Sequence, residues 1–167
     1  MAMIAISAAG FLLSDGECRR VHWVRAMRRC LVRMGSMIRY EQPGLDELLS
    51  RVELNATPQE RELTQVLHRC AQRMHTSANP QLAFIFAHES ARMRGYGVLS
   101  AEDRAAFEEV LAQLGRIRMQ EQLRLLDAAD ERLRAREEIL SRESGIRTRL
   151  IRTLGVCSGA AVFLILI

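Results

Sequence analysis

A chain of 167 residues with 49% hydrophobic content is long enough for one domain with a modest core. Its net charge is only +4, its arginines are interleaved with acids, and aromatic residues make up 5%, which argues against a nucleic-acid interface. Three prolines, no alternating β-branched run, and a middle rich in Leu, Ala, Arg and Glu predict an all-α fold.

The first element is apolar. Ala2 to Leu13 gives roughly 18 Å of helix, too short to span a bilayer alone. Ser7-Ala8-Ala9 has the small residues of a signal-peptide site, but the positive n-region is missing, and Arg19 and Arg20 follow the apolar run. That order predicts an N-terminal membrane anchor over 1–13 with the next segment inside.

Glu17 to Tyr40 reads as a helix. Val21, Val24, Met27, Leu31, Met34 and Ile38 step by three and four, Trp23, Cys30 and Met37 widen the stripe, and Arg25, Arg29, Arg33 and Arg39 lie off it. This Met-rich stripe is expected to be core. Pro43-Gly44 breaks the helix. A short second helix carries Leu45, Leu48, Leu49 and Val52.

Thr57, Pro58 and Glu60 form an N-cap, an N1 proline and a capping box for a third helix that fades near His75. Asn79-Pro80 starts a fourth in the same way, ended by Gly95-Tyr96-Gly97. Ser100-Ala-Glu-Asp opens a fifth, with Phe107, Val110, Leu111 and Leu114 on one face, and Gly115 interrupts or kinks it. From Arg118 a helical pattern continues to the end of the chain. Its stripe thins beyond Asp127, where Asp130–Arg134, Glu138–Arg142 and Glu143–Arg147 have the favourable i,i+4 order. That predicts a partly solvated strut.

Leu150 to Ile167 carries no charge after Arg152. With Arg152 snorkelling, it gives about 27 Å of helix, short but usable in a bilayer that thins locally. A helix buried in a soluble core rarely ends on four large apolar residues with no polar face. Arg147, Arg149 and Arg152 place the preceding chain on the cytoplasmic side. Arginines beside both apolar ends suit anionic headgroups.

The chemistry-bearing residues are sparse. Cys18, Cys30, Cys70 and Cys157 form no CxxC pair and read as free thiols in a reducing compartment. His68, Cys70, His75 and His88 are the nearest thing to a metal set, but His68 and Cys70 diverge by about 200° around a helix. Glu108-Glu109 and Glu137-Glu138 sit in exposed-looking helices, where a solvated face explains them. No phosphate loop, zinc-protease motif or nucleophile elbow is present. The expectation is a protein that is not an enzyme and holds no cofactor or metal.

The order of these features resembles the stage III sporulation protein AB family over nearly the whole chain. Ile38-Arg39-Tyr40-Glu41-Gln42-Pro43-Gly44-Leu45-Asp46-Glu47-Leu48-Leu49 is similar to that family's E-I-x-Y-x-x-x-P-L-x-E-A-L signature. Pro43 is shifted, and Met37 stands where an acid is usual. Leu114-Gly115 with Gln122 resembles the L-G-x-S-D-x-x-x-Q element, with Ile117-Arg118 in place of Ser-Asp. Gly10-Phe11, followed by an arginine-rich helix, resembles the first membrane helix and its exit. Arg152 to Val156 and the tail resemble the closing segment.

The resemblance implies a cytoplasmic bundle of about six helices over 14–149, with membrane-anchoring helices at 1–13 and 150–167. It implies a non-enzymatic platform of the mother cell–forespore channel, similar to the platform protein of type II secretion. Its implied partners are membrane lipid, a cytoplasmic secretion-type ATPase (stage III sporulation protein AA) and other channel subunits, with a homo-oligomer left open. The implied location is the outer forespore membrane on the mother-cell side. A platform subunit of a pilus or secretion system, which usually carries two such domains, is the alternative, followed by a membrane-tethered enzyme. Tyr40, Pro43, Leu45, Glu47, Gly115 and Gln122 are the expected partner-binding residues. Arg19, Arg20, Arg147, Arg149 and Arg152 are the expected membrane-flanking ones.

Overall fold

The stripe from Val21 to Ile38 is the seam around which the other helices pack, and each of its members is buried. The computed structural model describes the backbone of residues 2–76 and 81–166, and the side-chain surroundings of 18–76 and 81–142. Among these there are six α-helices, one 3-10 helix and no strand. The helices are α1 Ala2–Tyr40, α2 Leu45–Arg51, α3 Pro58–Thr76, α4 Leu82–Ser90, α5 Ala101–Gln113 and α6 Met119–Leu166. The 3-10 turn is Tyr96–Val98.

The expected caps are in place. Thr57 Oγ1 accepts from the Glu60 backbone N–H at 3.2 Å, and the Glu60 carboxylate accepts from the Ala56 N–H at 2.8 Å. Ser100 and Asp103 form a reciprocal capping box on α5. α4 begins at Leu82 and stops at Ser90, before the Gly95-Tyr96-Gly97 stretch expected to end it. The residues in between form turns that lead into the 3-10 helix. Asn79 and Pro80 lie outside the described residues.

The last helix departs from expectation. The departure lies in its charge pairs: Leu126, Leu133 and Leu140 are buried along α1, with Ala129, as their three-four spacing predicts. Asp130 turns inward to Arg28 (2.9 Å) instead of pairing with Arg134, which meets Glu138. Glu137, expected on a solvated face, takes Arg25 and Arg28, each at 2.8 Å. Such cross-helix pairs leave no trace in i,i+4 spacing.

As α1 numbers rise, their α6 partners fall. Arg25 meets Glu137, Arg28 meets Asp130, and Gly35 approaches Leu126. The two long helices are therefore antiparallel. Along this paired stretch the N-terminal side of α1 and the C-terminal side of α6 therefore lie at one end, and the α1–α2 and α5–α6 turns at the other. A Cβ at Gly35 would sit 3.9 Å from Leu126 Cδ1, an ordinary contact. This glycine thus costs the helix about 1 kcal/mol relative to Ala without any close approach inside the chain that requires it.

Among the described residues no helix is long and apolar enough to cross a membrane. The stretches 1–13 and 150–167, with Arg147 and Arg149, lie outside the residues whose side chains are described, as do Glu143 and Cys157.

Candidate functional site

α1 cannot continue past Tyr40. Pro43 disfavours helical backbone at Gln42, which takes a left-handed conformation (φ +49°). The Gln42 and Glu41 N–H groups both donate back to the Met37 carbonyl, which closes the helix. This turn points the chain into α2, whose Leu48 and Leu49 enter the core.

The α5–α6 turn meets it there. Gly115 has φ +80°, and a Cβ on it would lie 2.9 Å from Leu45 Cδ2. Its backbone conformation favours glycine, and a larger residue would also have to displace the end of the Leu45 side chain. Gln122 donates its side-chain N–H to the Ile117 carbonyl at 2.7 Å and holds the turn that opens α6. Pro43, Leu45, Gly115 and Gln122 thus line one shallow depression of about 130 Å³, together with Ile38 and Met119. Two stretches about seventy residues apart in sequence form a single surface.

Tyr40 stands at the edge of this surface, 79% exposed, beside a second depression. Glu47 is exposed and accepts from Arg51 at 3.2 Å, while Arg51 also reaches Glu41. Of the expected membrane-flanking residues, Arg19 is exposed. Arg20 is committed to the bundle: its guanidinium donates twice to Asp103, at 2.6 and 2.8 Å.

Three carboxylates buried in the bundle were not anticipated as hubs. Asp103 is held by Arg20 and, at 2.9 Å, by Arg136. Glu60 is held by Arg29. Glu89 is surrounded by Arg69 and Arg73 at 2.9 Å and by Arg92 at 3.9 Å. Burial pushes the pKa of Asp103 up, but hydrogen bonds from Arg136, Arg20 and Ser100 outweigh it and hold the group below the usual carboxylate range. Glu89 is held low in the same sense by Arg73, Arg92 and Arg69 against its burial. Both stay ionised near neutrality, so neither is poised as a general acid.

The histidines scatter. His68 Nε2 lies 3.1 Å from the Val52 carbonyl, His75 meets Asp46, and His88 meets Arg73 and Glu89. Among the described residues no three metal-ligating side chains gather. Burial, with the charge of Glu89, pushes the Cys70 thiol up to about 12, too high for a nucleophile. What the geometry does bring together is the α1–α2 and α5–α6 turns, around one shallow depression.

Replacing Gly115 with Ala should cost about 2 kcal/mol, from left-handed strain plus the displaced Leu45. Urea unfolding followed by circular dichroism measures it, and an unchanged midpoint would show that the turn relaxes freely. A family model described as Stage III sporulation protein AB (spore_III_AB) matches residues 1–167. No curated protein and no solved structure matches the chain.

Proposed function

This chain belongs to the stage III sporulation protein AB family, and from that premise we propose that it is a non-enzymatic membrane platform of the mother cell–forespore channel. It presents a cytoplasmic helical surface to a secretion-type ATPase, stage III sporulation protein AA, and to neighbouring membrane subunits.

One observation carries this reading. The two family-like stretches, separated in sequence, converge on one surface at the end of the bundle away from both chain termini. The termini supply the membrane side. Their apolar sequences, with arginines on the inner flank, suit anchors in the outer forespore membrane, and the antiparallel pairing of α1 and α6 sends both toward the same bilayer. A bundle continuous with its anchors can carry a rigid-body displacement from a cytoplasmic partner to the membrane.

Reconstitution tests both halves. The full chain in liposomes should resist alkaline carbonate extraction and should carry the purified ATPase upward in a flotation gradient. Release of the chain by carbonate would remove the anchors, and ATPase left at the bottom would remove the platform.

A further inference from the structure

An open furrow runs between α1 and the first half of the described part of α6. Two depressions of about 510 and 300 Å³ share Val32, Ser36 and Asp130, so they form one channel. Its α1 wall extends from Arg25 to Tyr40, about 22 Å or four helical turns. Its lining includes two small residues of α1, Gly35 and Ser36. Val32, 59% exposed, and Tyr40 stand eight residues apart, about 12 Å along the helix, and both line the second depression.

The charge is one-sided. Five arginines line the furrow against three carboxylates, Asp127, Asp130 and Glu137. Arg25 and Arg28 are paired across the helices, and Arg29 is held by Glu60. Arg33 and Arg39 are exposed and, among the described residues, have no ion pair. Each sits next to one of the exposed apolar side chains. Among the described residues nothing comes closer than 3.9 Å to a Cβ placed on Gly35, and small residues in the lining let a partner backbone come close.

We propose that this furrow seats one acidic amphipathic helix of about four turns, contributed by a cytoplasmic partner. Val32 and Tyr40 would pack its apolar stripe, and Arg33 and Arg39 would pair with its carboxylates. Two apolar side chains about 12 Å apart along the furrow suit an extended occupant such as a helix, whereas a lipid headgroup needs no such span. The inference deepens the platform reading and rests on it for the partner's being cytoplasmic. It does not need the partner to be the ATPase.

The test places benzoyl-phenylalanine at Ser36 of the full chain, in sporulating cells that lack the wild-type copy. After irradiation, the crosslinked peptide is sequenced by mass spectrometry. The expected result is an adduct with another protein, through a net-acidic peptide with apolar residues spaced by three and four. Its yield should fall at least tenfold when Arg33→Glu and Arg39→Glu are added. No adduct, an adduct with a second copy of this chain or with lipid, or a yield indifferent to the charge reversal would each overturn the proposal. The Ser36 result in the otherwise unaltered chain stands even if the double charge reversal disturbs folding. An acidic helix from a protein other than the ATPase would keep the seat and leave the ATPase to be decided by the flotation gradient. ATPase binding without any Ser36 adduct would keep the platform reading and remove the seat.

Discussion

Replacing Asp103 with Ala should lower the stability of the bundle by about 3 kcal/mol or more, the largest effect expected of any single charged residue here. Asp103 is fully buried, and it serves three elements at once. It caps α5, it takes Arg20 of α1, and it takes Arg136 of α6. Removing it takes the buried carboxylate away from two guanidinium groups that are each only about a quarter exposed, although Arg136 keeps Glu102 at 3.9 Å. It also removes the N-terminal cap, worth about 1 kcal/mol. Asp103→Asn keeps an acceptor for the cap and should lose less.

The charge also sets a pH dependence. The pKa of Asp103 in the folded chain lies below its unfolded value of about 4. Its contribution is therefore complete above about pH 4 and is lost as pH falls through the folded value. Glu89 and Glu137 shift in the same direction and add to the same acid limb. Urea titrations between pH 3 and 7 should show this limb flattened in Asp103→Asn, and a limb of unchanged depth would assign the acid sensitivity to the other carboxylates.

Trp23→Ala should cost about 3–5 kcal/mol. The indole is 1% exposed and packs edge-on against Tyr96, with ring centroids 5.9 Å apart. Tyr96 meets Phe86, and Phe86 meets Phe107, so the loss reaches α4 and α5. Gly95, at φ +89°, lies against the indole, and a Cβ there would come within 3.2 Å of Nε1. The backbone held close to the ring cannot simply collapse into the space. Trp23→Phe retains an aromatic edge and should lose roughly half as much. Equal losses for Ala and Phe in denaturant unfolding would mean that the indole's size, and not the aromatic contact, is what matters.

These two residues show what the sequence could carry. Trp23 was legible because helical periodicity marks the buried face of α1, and the capping boxes at Thr57 and Ser100 marked two helix starts. Glu60 and Asp103 were visible as capping residues. Their arginine partners were not, because Arg29–Glu60 and Arg20–Asp103 join positions 31 and 83 residues apart. The inward face of α6 was legible in the three-four spacing of Leu126, Leu133 and Leu140, but its charge pairs were missed for a related reason. Its apolar stripe is thin, and much of its attachment to α1 is made by Arg25 and Arg28 with Asp130 and Glu137. At the candidate surface, the Tyr40–Leu49 and Gly115–Gln122 stretches could each be singled out. That Leu45 fills the space a Gly115 side chain would need is a tertiary fact with no local signal.

The proposed binding of a cytoplasmic ATPase at the α1–α2 turn is decided by the affinity of the purified ATPase for the full chain, compared with the Tyr40→Ala, Glu47→Arg double variant. Tyr40 is highly exposed and Glu47 has only solvent-facing pairing, so the fold should be unaffected and the melting temperature should hold. Loss of an interface hot spot costs about 2 kcal/mol, so the account predicts roughly thirty-fold weaker binding. Undiminished affinity of the folded double variant would contradict it.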